Sequence, residues 1–326
     1  MKVFLTGATG YIGHQLAIKL ANQNYEVNAL VRDINSDKIP KHKNITIYKG
    51  NICDYKTIQR AIANCDYVFH TAAFTNLKCD KIDNFYNTNV VGTSNVLKAS
   101  LAENVKKVIY TSTLSVFGPS LYHVPITEDQ PRITSYSNDY ELTKAMSEEV
   151  VLDYVKKGLS CIILNVTRVY GPGLITFSNG VNKIISKIMK DKVLFVPSKL
   201  DVEANYVYID DVVNAELLVL KKGEAGEKYI IGGENIDYTG LFKKIINISN
   251  SKISIFKINY DLIERGITLI SNLNWLFGNS TPLTPKVLDS LFTNRSASSK
   301  KAISALNYKI TPLKTGLEQT IKFLSK

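Results

Sequence analysis

The feature that most constrains this chain is a strand–glycine–helix junction at its start. Val3-Phe4-Leu5-Thr6 is apolar and β-prone, and Gly7-Ala8-Thr9-Gly10-Tyr11-Ile12-Gly13 follows it directly. Tyr11–Gln23 then reads as a helix, with Ile12, Leu16 and Leu20 on one face at four-residue spacing. In such a junction Gly7 permits a tight turn, Gly10 lets the backbone approach a pyrophosphate, and Gly13 lets helix and strand pack closely. The helix N-terminus offers free N–H groups to phosphates. A glycine trio alone is weak. In this strand–turn–helix context it marks a dinucleotide site, with Gly7, Thr9, Gly10, Tyr11 and Ile12 as candidate cofactor contacts.

Apolar runs and helical patterns alternate from there. Val27–Arg32, Ile45–Lys49, Asp66–Ala72, Val105–Thr113 and Ser160–Arg168 read as strands. Tyr55–Ala63, a long stretch around Phe85–Glu103, and Asp139–Lys157 read as helices between them. Parallel strands need such crossovers, and right-handed crossovers wind helices onto both faces. The expected fold is therefore α/β: a Rossmann-type doubly wound parallel sheet with a smaller C-terminal α/β substrate lobe. After Gly171-Pro172-Gly173 the regularity weakens. Tyr206–Ile209 and Lys228–Ile231 read as short strands around helix Asp210–Lys221, and the remainder as loops and helices. Residues 1–171, with about 204–233, are the expected dinucleotide domain; 172–203 and 234–326 are the expected substrate lobe.

With 326 residues, 45% of them apolar and 21% charged, the chain is neither disordered nor collagen-like. Forty Lys and Arg against 29 Asp and Glu give a net charge of +11. That excess first suggests nucleic acid, but the basic residues fall in pairs at element ends, such as Lys156-Lys157 and Lys300-Lys301. A nucleic-acid groove needs a stripe with interleaved aromatics, so no nucleic-acid partner is expected. Cys53, Cys65, Cys79 and Cys161 show no metal spacing, and His14, His42, His70 and His123 form no HExxH. No metal is expected, and free thiols fit a reducing compartment, the cytoplasm. No signal peptide and no apolar run of membrane-spanning length is visible.

The second strand ends Leu30-Val31-Arg32-Asp33. Arg32 is placed to pair with a 2′-phosphate and to stack on adenine, which favours NADP(H). The alternative is NAD(H), with Asp33 on the ribose.

Tyr140-Glu141-Leu142-Thr143-Lys144 opens a predicted helix, so Tyr140 and Lys144 share a face. An ammonium beside a phenol favours the phenolate and lowers its pKa. Thr111-Ser112-Thr113 ends a strand, where open sheets bind ligands, and Asn89 lies in Thr88-Asn89-Val90-Val91-Gly92-Thr93. With TGATGYIG, His70-Thr71-Ala72-Ala73, Val116-Phe117-Gly118, Arg168-Val169-Tyr170-Gly171-Pro172-Gly173 and Tyr206-Val207-Tyr208-Ile209-Asp210-Asp211-Val212, these marks resemble the extended short-chain dehydrogenase/reductases, the NAD-dependent epimerase/dehydratase family. The resemblance covers the whole chain. Its closest look is to members like dihydroflavonol 4-reductase and 3β-hydroxysteroid dehydrogenase.

The resemblance implies roles. Tyr140 is the general acid/base, and Lys144 is its pKa-lowering partner and a contact of the nicotinamide ribose. Thr113 is the catalytic hydroxyl, with Ser112 and Ser115 as local rivals, and Asn89 supports the site. Thr71, Ala72, Ala73, Val166 and Thr167 line the cofactor. Asn51 and Ile52 sit beside adenine, Asn51 replacing the usual Asp. A homodimer is also implied.

Two chemistries share this family, hydride transfer to or from ketones and nucleotide-sugar epimerisation or dehydration on a tightly held NAD. Sugar-nucleotide members usually carry an arginine where this chain has Ala204. Beyond Gly173 the only arginines are Arg265 and Arg295. The expected activity is NADP(H)-dependent hydride transfer on a ketone or secondary alcohol of a small, apolar substrate, with the epimerase/dehydratase as alternative. A non-enzymatic dinucleotide sensor is a distant third, because the Tyr–Lys pair is present. Ile267, Ile270, Leu273, Leu276, Phe277 and Trp275 are apolar at helical spacing, as core or as a wall for an apolar substrate.

Overall fold

The structure, a computed structural model, describes residues 1–77, 81–121, 124–132, 134–176, 179–276 and 284–326, without the side chains of 272–276 and 286. Cys79, His123 and Phe277 lie outside these residues, and so do the side chains of Leu273, Trp275 and Leu276.

The strands are β1 (Lys2–Thr6), β2 (Glu26–Val31), β3 (Ile45–Lys49), β4 (Tyr67–His70), β5 (Lys107–Thr113), β6 (Cys161–Val166), β7 (Arg168–Tyr170), β8 (Val193–Pro197), β9 (Glu203–Tyr208), β10 (Lys228–Ile231), β11 (Glu234–Asp237) and β12 (Ser254–Ile258). The helices are α1 (Tyr11–Asn22), α2 (Tyr55–Ile62), α3 (Ile82–Phe85), α4 (Gly92–Ala102), α5 (Asp139–Lys156), α6 (Gly180–Lys190), α7 (Ile209–Lys222), α8 (Tyr238–Ser249), α9 (Tyr260–Leu276), α10 (Pro285–Leu291), α11 (Lys300–Leu306) and α12 (Leu313–Leu324). A wide π-helical turn, Tyr86–Val91, joins α3 to α4.

Seven strands form one parallel sheet in the order β10-β6-β5-β4-β1-β2-β3. The order reverses beside β1, which is the doubly wound arrangement expected. Its central strands are buried on both faces, as parallel strands between helical layers must be: Val3, Phe4, Val68, Phe69, Val108, Ile109, Ile162 and Ile163 are all inaccessible. One apolar cluster beneath α1 and α7 runs on into α6, α8 and α12. The other lies beneath α2, α4 and α5.

The strand expected over Ser160–Arg168 breaks at Thr167. Val166 still pairs with Thr113 and Ile231, whereas Arg168–Tyr170 pairs with β9. Within 204–233, β10 completes the large sheet, while β9 lies between β7 and β11 in a three-stranded sheet. A parallel two-stranded sheet of β8 and β12 stands apart. The sequence expectation had only loops and helices where β8, β11 and β12 occur.

Candidate active site

All strands of the large sheet run the same way, so their C-terminal ends share one edge. That edge collects the Gly7 turn, Arg32, Asn51-Ile52, Thr71–Ala73, Thr113 and Val166-Thr167.

The glycine turn is built as its spacing implies. Gly7 has φ +77°, a region that disfavours side chains, and a Cβ there would lie 2.6 Å from Thr71 Oγ1. A Cβ on Gly13 would lie 2.2 Å from the Gly7 carbonyl oxygen, so only glycine lets α1 sit this close to the turn. Gly10 caps α1 without a side-chain hydrogen bond, and no acidic residue occupies the first turn. The first amides of α1 are therefore available to an anion. The Tyr11 hydroxyl donates to the Gly171 carbonyl at 2.6 Å, fastening the start of α1 to the 171–173 turn. Its ring is thus committed to structure, and Ile12 packs on the core.

Around the turn, Thr71 Oγ1 donates to the Thr6 carbonyl and the Ala72 N–H to Thr6 Oγ1. His70 sits fully buried between Thr6 Oγ1, 2.6 Å from Nδ1, and Thr93 Oγ1, 3.0 Å from Nε2. Burial and, secondarily, the nearby Lys144 push its pKa down to about 3, so the ring stays neutral. Arg32 is exposed and makes no hydrogen bond or salt bridge among the described residues. Its charge is felt at the Cys53 thiol, which places it beside the Asn51–Cys53 turn. Asn51 Oδ1 accepts from the Cys53 N–H at 3.1 Å. A free guanidinium at the end of β2 and uncapped amides at α1 suit the two ends of a dinucleotide, so the residues fit such a cofactor.

Tyr140 and Thr113 come together. The half-buried phenol is pushed up to about 12 by burial, while the nearby Thr113 hydroxyl pulls the other way. Without cofactor, burial therefore keeps the phenol protonated. Lys144 Nζ donates to the Tyr110 hydroxyl at 2.6 Å and to the Thr111 carbonyl at 2.9 Å. Burial draws its own pKa down to about 7, against the opposing pull of Glu148. Of the rival hydroxyls, Ser112 Oγ donates to buried Glu148, which also accepts from Asn165 Nδ2 and Lys228 Nζ. Ser115 Oγ lies 3.3 Å from Thr113 Oγ1.

Asn89 does not reach Tyr140 or Lys144. Its Oδ1 accepts from the Phe74 N–H at 2.7 Å, and its Nδ2 donates to the Phe74 carbonyl and to Thr143 Oγ1. It braces the loop after β4 against α5. Thr167 Oγ1 donates to Asn205 Oδ1, and Asn205 Nδ2 in turn donates to Gly233 and Asn235.

A guanidinium cluster beside Tyr140 escaped the sequence reading. Glu141, nearly inaccessible, accepts from Arg295 at 2.6 Å and from Arg132 at 2.9 Å. Arg295 Nε is buried without a partner. Arg168 is close enough to raise the cost of charge on Arg295, and it donates to the Tyr238 hydroxyl at 2.7 Å. Arg295 and Glu141 are 154 residues apart, and only tertiary structure joins them. Ala204 is fully buried in the β9–β11 ladder opposite Ile236.

The chain is 31% identical over 275 residues to a dTDP-D-glucose 4,6-dehydratase of Dictyostelium discoideum, covering 76% of this chain and 62%, less than two thirds, of that relative. It is 23% identical over 321 residues to a 3-beta-hydroxysteroid dehydrogenase of Mycolicibacterium neoaurum, covering 94% of this chain and 86% of the relative. A UDP-glucose 4-epimerase from Thermotoga maritima superposes with a TM-score of 0.83 at 23% identity, over 100% of this chain and 99% of that one, a likeness of fold. The family described as NAD dependent epimerase/dehydratase matches residues 3–232. This chain belongs to that enzyme family, the extended short-chain dehydrogenases/reductases.

Proposed function

We propose that the protein moves hydride between NADP(H) and a ketone or secondary alcohol of a small, apolar substrate, with Tyr140 as the proton donor and acceptor. The observation that carries this reading is the Tyr140 phenol beside the Thr113 hydroxyl at the C-terminal end of β5. The bound nicotinamide would supply the hydride acceptor or donor. Burial leaves the phenol protonated, the form that can donate to an alkoxide formed on reduction. Thr113 would orient the substrate oxygen, and Lys144 would favour the phenolate during oxidation. Asn89 would act as a positioning residue through the Phe74 loop. Gly7, Thr9, Gly10, Tyr11 and Ile12 would meet the pyrophosphate with their backbone. Asn51, Ile52, Thr71, Ala72 and Ala73 would flank the adenosine, and Val166 and Thr167 the nicotinamide. Residues 1–171 with 204–233 would hold the dinucleotide, and 172–203 with 234–326 the substrate. The same reading includes a cytoplasmic homodimer.

Tyr140→Phe should keep NADPH binding in a fluorescence titration and lose at least 100-fold in turnover, the scale of positioned acid–base catalysis. Substantial remaining turnover refutes the assignment. Arg32→Ala should weaken NADPH by roughly 10-fold or more while leaving NADH nearly unchanged, the loss of one charge-assisted bidentate contact. An unaltered NADPH preference sinks the NADP(H) reading.

A second reading, nucleotide-sugar epimerisation or dehydration on NAD, is favoured by one observation. Arg295, with its orphaned Nε, lies within electrostatic range of Arg168, a pair suited to an anionic group. It gains weight from the Dictyostelium discoideum relative's name. A panel of apolar ketones with NADPH against nucleotide sugars, with mass spectrometry of copurified cofactor, separates the two.

A further inference from the structure

The β8–β12 pair violates the usual rule for parallel strands. Parallel sheets are normally covered on both faces, and an isolated two-stranded sheet is marginal in water. Here the period-two alternation places Val193, Phe195, Phe256 and Ile258 on an outward face, 42%, 66%, 52% and 40% exposed. The Phe195 and Phe256 rings lie 5.7 Å apart in the open. The chain passes directly from Ile258 into α9, where Leu262, Leu269 and Ile270 are more than half exposed. Leu262 and Leu269 are two turns apart, on one stripe of the helix. Ile267 is buried, so α9 presents one apolar side to the protein and another to solvent. Elsewhere the exposed large apolar side chains of the described residues are mostly scattered along the chain, which is ordinary for a protein surface. An exposed apolar face such as that of β8 and β12 marks an interaction site.

The charges around the patch select its occupant. Segments 187–199 and 252–265 carry Lys187, Lys190, Lys192, Lys199, Lys252, Lys257 and Arg265, all exposed, against Asp191, Asp261 and Glu264, with Lys199 also 4.0 Å from the Asp289 carboxylate. A second copy of the chain on the same patch would bring lysines against lysines, which opposes association. An anionic bilayer would meet both parts at once, with the aromatic and aliphatic side chains at the headgroup boundary and the lysines on the lipid phosphates. Among the described residues no helix is long and apolar enough to cross a membrane, so such contact is peripheral. We infer that the outer face of β8 and β12, with the exposed stripe of α9, docks this protein onto an anionic lipid surface.

Lipid docking by this face does not depend on which substrate the active site takes. The test is flotation of the full chain with phosphatidylcholine vesicles, with and without phosphatidylglycerol. The bound fraction should rise roughly tenfold or more with the anionic lipid at 0.1 M salt and fall in 1 M salt. Phe195→Asp/Phe256→Asp should abolish it with NADPH binding and thermal midpoint kept. Lys190→Glu/Lys192→Glu/Lys252→Glu, altering only exposed side chains, should remove the anionic preference even if the first variant fails to fold. Absence of wild-type binding to either vesicle overturns the inference. So does a dimer, seen by light scattering, that the Phe195/Phe256 variant dissociates without any vesicle binding.

Discussion

At the scale of single residues, the buried groups are tuned by what they lack as much as by what they touch. Glu216 on α7 is inaccessible, accepts from Thr111 Oγ1 at 2.7 Å, and leaves Oε2 without a partner. Burial raises its pKa to about 7. A carboxyl held above its unfolded value binds a proton in the folded chain that the unfolded chain has already lost. Stability therefore falls as pH rises from about 4.5 to about 7, and the penalty stays in full above that. Glu216→Gln keeps the acceptor and removes the ionisation. Its stability advantage should be near zero at pH 4.5 and approach about 3 kcal/mol at pH 8, read from urea unfolding at the two pH values. An advantage independent of pH contradicts the assignment. The places of Tyr140 and Lys144 on α5 and of Thr113 at the end of β5 were legible in the sequence, from helical spacing and a strand end. The direction of the Tyr140 shift was not legible, because it comes from burial of the phenol by the folded chain.

At the scale of elements, the first thirty residues show why some structure is written locally and some is not. The β1–α1 junction follows from glycine spacing alone, and its three glycines answer to distinct steric demands. Gly13→Ala would press a Cβ into the Gly7 carbonyl oxygen. We expect a loss of about 1–3 kcal/mol, seen as a lower thermal midpoint, together with weaker dinucleotide binding as the turn shifts. Gly180→Ala, at the start of α6 where a Cβ meets nothing within 4 Å, is the control and should be neutral or slightly stabilising. Equal effects at the two positions would refute the close-packing role of Gly13. The long central strands were readable as sustained apolar runs, and α1 by its four-residue apolar spacing. β7, at three residues, is too short to show one, and β8 and β12 expose apolar side chains that an alternation rule assigns to a core. The π-helical turn at Tyr86–Val91 leaves no mark in the residue pattern, yet it sets where Asn89 meets Phe74 and Thr143.

At the scale of the whole molecule, one C-terminal segment ties the site together. Asn294, Ser296 and Ser298 pair by backbone with the loop over the sheet edge, through Ser120 and Ile126. Arg295 pairs by backbone with β9 at Glu203 and Asn205, and its side chain reaches Glu141 on α5. The residue next to Tyr140 is thus gripped from the far end of the chain. A buried ion pair is costly to break from one side, because the remaining charge stays desolvated. Arg295→Met leaves Glu141 with Arg132 and the Ser137 N–H. We therefore expect a moderate loss, about 2–3 kcal/mol. Glu141→Gln removes the countercharge of two guanidiniums, although Arg132 keeps its backbone carbonyl partners, and should cost more. Because the two residues share one interaction, the double variant should lose measurably less than the two single losses combined, by at least about 0.5 kcal/mol. Urea unfolding of all four proteins reads that coupling directly. Simple additivity would show that Arg295 acts by packing alone and that the C-terminal segment does not hold the helix of Tyr140 through charge.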